Sequence, residues 1–188
     1  MASTNLRITD IGIDRSNDIW ITGRDINKYN GDSYNFYNFQ NSKVPSNSPY
    51  YLDTRSISID RDGVKWVGCA VSPYLSQVGV FSINDEYAEI VDSWTFNEMG
   101  ITGGSLETSL IYASPYGNEI LAFVCPLNQG AGVTGSDYIG TTGGNLYRHE
   151  KRSNIWEEVI KGKVWDHIYD IKSTGYNGNR FEYWIATE

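Results

Sequence analysis

Apolar and polar positions along this chain alternate in short bursts, separated by clusters of turn-forming residues. From Ile8 to Asp14, Ile11 and Ile13 alternate with Asp10 and Gly12, a period of two that predicts a half-buried strand. Arg15-Ser16-Asn17-Asp18 is a polar turn, and Ile19-Trp20-Ile21 a short apolar strand. Tyr29-Asn30-Gly31-Asp32 offers a tight turn, because Asn-Gly adopts positive φ at little cost. Tyr34 to Phe39 follows as an aromatic strand, and one weaker strand completes the unit.

The same sentence is then repeated. Thr54 to Asp60 alternates, Arg61-Asp62-Gly63 turns, and Val64-Lys65-Trp66-Val67-Gly68 returns. Asp14 to Asp60 and Trp20 to Trp66 are both offsets of 46 residues, a period that belongs to arrays and propellers. The aspartate is expected to accept backbone N–H groups across its turn. The tryptophan is expected to fill the wedge between neighbouring sheets, with glycine letting backbones approach. Val78-Gly79-Val80-Phe81 reads as the third strand of this unit, and Glu89 to Phe96, with Trp94, as the fourth.

Two later units are less regular. In the third, Leu110 to Val124 contains a Tyr116-Gly117-Asn118 turn, and Pro126 to Ser136 reads as a Gly-rich insertion. Tyr138-Ile139-Gly140-Thr141 is expected to be its Trp-type strand, Gly143 to Arg148 the next, and Asn154 to Val159 the outer one. The fourth unit runs from Val164 through Ile168-Tyr169-Asp170-Ile171 to Trp184 and Glu188, half a unit in all.

The run Ser56-Ile57-Ser58-Ile59-Asp60-Arg61-Asp62-Gly63-Val64-Lys65-Trp66-Val67-Gly68 resembles the two-component-regulator propeller repeat. The link Asn41-Ser42-Lys43-Val44-Pro45-Ser46-Asn47 resembles that family's inter-blade segment, and the Trp-centred strand is also similar to streptogramin-lyase-like propellers. The resemblance implies an all-β chain, a β-propeller of four-stranded antiparallel blades with about three and a half blades present. The blades are expected over 6–50, 51–100, 105–160 and an incomplete 161–188, making 1–188 a partial propeller. Propellers close their rings because open sheet edges invite mispairing. Completion is therefore expected from further blades, another copy or protein partners.

Composition agrees with short strands and tight turns: 14 Tyr, 6 Trp and 19 Gly, with only 20% charged residues. The net charge of −8 argues against a nucleic-acid partner, which needs a basic face. Cys69 and Cys125 stand in apolar strand contexts and read as buried thiols. The first residues hold no apolar leader segment, and no run approaches the length of a membrane span. The expectation is a cytoplasmic location in the producing cell, with association to a virion under the assembly reading below, and no membrane partner.

Candidate chemistry is thin. His149 lies in Arg148-His149-Glu150-Lys151-Arg152 and reads as a solvated turn residue. His167 follows Asp166, but adjacent strand residues point to opposite faces and cannot form a dyad. Asp14, Asp60 and Asp62 lack the further acidic positions of a calcium loop and read as turn caps. Gly130-Ala131-Gly132-Val133-Thr134-Gly135 has neither the Gly-Lys-Ser/Thr of a phosphate loop nor a βαβ context. No catalytic residue, cofactor or metal is expected. Tyr50 and Tyr51, after Pro45 and Pro49, are the weak candidates for partner binding.

The function expected from these features is a non-enzymatic structural or protein-interaction propeller, part of a larger assembly component such as a phage virion or tail protein. A ligand-sensing domain of a regulatory receptor is the alternative. A streptogramin-type lyase comes third, because it needs an acid–base group and a metal-supported site.

Overall fold

Short alternating segments joined by tight turns can bury their apolar faces only by pairing into sheets and stacking those sheets. A computed structural model describes residues 8–23, 26–37, 53–70, 78–84, 90–102, 106–126, 144–151, 153–160, 168–177 and 180–187, and no helix occurs among them. The first sheet comprises β1 (Asp10–Ile13), β2 (Ile19–Thr22), β3 (Ile26–Tyr29) and β4 (Tyr34–Tyr37). The second comprises β5 (Thr54–Ile59), β6 (Lys65–Cys69), β7 (Val78–Ile83) and β8 (Ile90–Thr95). The third holds β9 (Leu106–Ala113), β10 (Glu119–Pro126), β11 (Asn145–Glu150) and β12 (Trp156–Ile160), and β13 (Ile168–Asn177) with β14 (Arg180–Thr187) forms a two-stranded fourth. Within every sheet, strands adjacent in sequence pair antiparallel. The all-β reading holds.

Consecutive sheets pack through their first strands: β5 lies against β1 and β2, β9 against β5 and β6, and β13 against β9. Each inner sheet therefore has a trailing face toward its predecessor and a leading face toward its successor. Period-two alternation sorts the residues between them. Trp20 on a leading face joins Ile57, Val67 and Phe81 of the next sheet's trailing face in one core. Trp66 and Trp94 meet Ile111, Ile120, Ala122 and Trp156 of the third sheet in a second. Leu121, Phe123 and Leu146 meet Ile168 and Ile171 of the fourth in another.

Hydrogen bonds cross the same boundaries. Thr54 N donates to Gly23 O at 2.8 Å, and the Thr54 hydroxyl accepts from Gly23 N at 2.9 Å. Ile57 N donates to Asp10 Oδ2 at 2.9 Å, and Ala113 N to Ser58 Oγ at 2.9 Å. At Gly68 a Cβ would lie 2.7 Å from Thr108 O, so the expected close approach occurs between β6 and β9.

Two details differ from the sequence reading. Ile26–Tyr29 is a full strand, β3, running up to the Asn30-Gly31 turn. In the third sheet β11 pairs directly with β10, so β10 stands where a strand at Tyr138–Thr141 was expected. The period of 46 could not locate it, because Leu121 stands 55 residues after Trp66 and neither the aspartate nor the tryptophan of the repeat marks the place. Tyr138 itself lies outside the described residues. So do Tyr50, Tyr51, His167 and the Gly130–Gly135 loop.

Candidate functional site

The polar groups concentrate where the first-to-second-strand turns of successive sheets come side by side. Asp14 closes the β1–β2 turn: its Oδ1 accepts from Ser16 N at 2.9 Å and Asp18 N at 3.0 Å. Its Oδ2 accepts from Trp20 Nε1 at 2.8 Å. Asp60 does the same one repeat later, accepting from Asp62 N at 2.7 Å, Val64 N at 3.1 Å and Trp66 Nε1 at 2.9 Å. Both turns need a left-handed residue at the same place, filled by Asn17 (φ 63°) in one and Gly63 (φ 84°) in the other. Asparagine is among the few non-glycine residues that tolerate this conformation. The turn-cap reading of Asp14 and Asp60 is thus correct, whereas the Asp62 carboxylate caps no turn among the described residues and pairs with Lys151 and Arg61.

Each of these carboxylates also meets a cation from the next sheet. Lys65 Nζ lies 3.6 Å from Asp14 Oδ2 and 4.7 Å above the Trp20 ring, its side chain fully buried. Lys28 covers the same ring at 5.0 Å and pairs with Asp18 at 2.6 Å. Lys151 of the third sheet bridges Asp60 and, at 2.9 Å, Asp62. Burial raises the Asp14 carboxyl, but the Trp20 and Asp18 hydrogen bonds and the Lys65 charge outweigh it, leaving it below the ordinary aspartate value. Burial pulls the Lys65 ammonium down, against the attraction of Asp14.

His149 overturns its sequence reading. It lies on β11, only 1% exposed, rather than in a solvated turn. Its ring stacks on Trp156 (centroids 4.8 Å, 21°) and tilts against Trp94 at 4.7 Å and Trp66 at 5.7 Å. The flanking charges of Arg148 and Glu150 suggested solvent, but they occupy the opposite face of the same strand. Nδ1 lies 3.2 Å from Ile155 O, a carbonyl that can only accept, which places the proton on Nδ1. Burial lowers its pKa below the ordinary histidine value. Neutral and enclosed by indoles, it serves as a packed aromatic.

Beside this box opens a polar cleft of about 460 Å³ lined by Arg61, Tyr116, Asn118, Glu119, Arg148 and Glu157 among others. Arg148 pairs with Glu157 at 2.6 Å and Glu119 at 3.6 Å, Arg61 donates to Asn118 Oδ1 at 3.1 Å, and the Tyr183 hydroxyl donates to Glu119. Burial, then Glu119, pushes the Tyr183 phenol up. Among the described residues no three His, Cys, Asp or Glu side chains converge to hold a metal ion. Cys69 and Cys125 are buried thiols, as expected, and burial raises the Cys69 thiol far above the reactive range.

These features define an all-β chain of consecutively packed antiparallel sheets whose polar groups link one sheet to the next. No protein-family model matches the chain, and no curated protein does. Among solved structures it is similar to Kuenenia stuttgartiensis hydrazine synthase, with a TM-score of 0.40 and 9% sequence identity over 93% of this chain. The chain spans 56% of that structure's length. No helix among the described residues is long and apolar enough to cross a membrane.

Proposed function

We propose that the chain is a run of β-propeller blades of the two-component-regulator type, acting as a non-enzymatic structural or protein-interaction module in a larger assembly such as a virion or tail. One observation carries this reading: among the described residues, Asp14, Asp60 and His149, the sequence's candidates for chemistry, are occupied by turns and neighbouring sheets. Asp14 and Asp60 each hold their own turn, their own indole and a lysine of the next sheet. His149 is sealed among three tryptophans. Three four-stranded meanders in sequence order, stacked first strand on first strand, support the blade reading. Protein partners or additional blades complete the ring.

Mass analysis of the native protein, purified from its source under mild conditions, tests this. A large particle of fixed stoichiometry is the expected result. A lone chain that turns over a small molecule, with activity lost in His149→Phe, overturns it.

A second reading, a ligand-sensing propeller domain, is favoured by the polar cleft around Glu119 and Arg148. It predicts a small polar ligand that raises Tm in the parent chain and not in Arg148→Ala.

A further inference from the structure

Among the described residues, the two ends of the stack carry exposed apolar side chains that match each other. On the first sheet's trailing face Ile11 and Ile13 are 52% and 63% exposed. Their counterparts 46 residues on, Ile57 and Ile59, pack against the Trp20 sheet. The register extends the match to the neighbouring strand. Ile57 and Val67 lie side by side on the buried trailing face of the second sheet, as Ile11 and Ile21 do on the first; the third strand departs from it, with the buried Asn27 in the place of Phe81. The open face is thus built like one that receives a tryptophan-bearing leading face.

The fourth sheet presents such a face. Tyr183 and Ile185 turn toward the third sheet's core, so Trp184 between them points away and is 69% exposed. Trp20 and Trp66 hold the same second-strand, leading-face position and are buried. The charges agree as well. Inside the stack Lys65 meets Asp14. The counterpart of Lys65 on the open first sheet is Ile19, and Lys172 pairs with Trp184 as Gly12 pairs with Trp20, so the aspartate's place two residues on is held by Thr174. Both partners of the ion pair are missing together, so joining the ends buries no lone charge at that place.

We propose that the Trp184 face of one copy packs on the Ile11–Ile13 face of a second copy, and that two copies close on each other through two such contacts. A second copy is the occupant because this one chain carries both complementary halves, and a head-to-tail contact that closes gives a finite assembly. The eight sheets of such a pair fall within the range of about four to eight blades that propellers use. The ring geometry rests on the propeller reading above; the matching of the two faces does not.

Light scattering on the full chain during size-exclusion chromatography tests the pairing. The expected mass is twice the 21.2 kDa of one chain. Ile13→Asp and Trp184→Lys, both at exposed sites and checked for native circular dichroism, are each expected to weaken pairing at least tenfold. Mixing the two variants is expected to restore a pair, because one intact contact forms between the unaltered face of each. A folded monomeric parent chain overturns the proposal and assigns the faces to sheets of another polypeptide. A pair indifferent to both substitutions overturns it too. A monomer that still assembles with other proteins leaves the scaffold reading standing, whereas a closed pair without companions removes that reading and keeps this one.

Discussion

The first two sheets and the third solve the same packing problem with different chemistry. In the first two, a carboxylate, an indole N–H and a lysine from the following sheet form one buried polar unit. In the third, Ser114 pairs across the β9–β10 turn where the aspartates stand, and Leu121 takes the leading-face position of Trp20 and Trp66. The link to the fourth sheet is then largely apolar, aliphatic and aromatic, helped by the Tyr112 hydroxyl, which accepts from Ser173 N at 3.0 Å, and by the Tyr183 hydroxyl, which donates to Glu119. Across the first three sheets, carboxylate and tryptophan are present together or absent together. A buried indole N–H requires an acceptor and a buried carboxylate requires donors, so leucine in the tryptophan's place removes the need for both.

That contrast can be broken at several points. The largest effect is expected from Trp66→Ala, which empties a site shared with Trp94 and His149 and should cost about 3–5 kcal/mol in denaturant unfolding. Leu121→Ala, its counterpart, should cost about 2–5 kcal/mol, from lost packing alone. Asp60→Asn comes next. It weakens charge-assisted bonds to two amides and an indole and should cost about 2–3 kcal/mol, against about 1 kcal/mol for Ser114→Ala.

Acid separates the two kinds of interface further. His149 has a folded pKa below its unfolded value near 6.5, so the folded state resists a proton that the unfolded chain accepts. Its stabilising contribution is complete above pH 6.5 and is lost as pH falls from there through the folded pKa. Thermal melts from pH 7 to pH 5 should show a fall in Tm that His149→Phe reduces. The Asp14 contribution is lost only at lower pH, below 3.8 and through its lowered folded pKa, so the gap between parent and Asp14→Asn should close there. The smallest effect is expected from Arg148→Ala, whose exposed pair with Glu157 should contribute under about 1 kcal/mol.

Much of this contrast was legible in the chain. The Asp14–Trp20 and Asp60–Trp66 spacing revealed the turn, the strand after it and the reason for the carboxylate, since these depend on local geometry that repeats. The indole N–H bond to the same carboxylate was missed, although a fixed six-residue spacing on one face was its signal. Lys65 and Lys151 could not be placed, because what they touch belongs to another sheet and follows from stacking rather than pattern. His149 was misread for the same reason: its neighbours in sequence are charged, its neighbours in space are Trp66, Trp94 and Trp156. In the third unit Ser114 and Leu121 stand in place of the marker, so the pattern there points past β10 to Tyr138.

The central claim is that each aspartate fastens two sheets at once. Amide hydrogen exchange on Asp60→Asn tests it most directly. The account predicts faster exchange in two places: the β5–β6 turn at Asp62 and Val64, and the β11–β12 turn of the third sheet, where Lys151 N donates to Asn118 O. Faster exchange confined to the β5–β6 turn, with the third sheet unchanged, would contradict it.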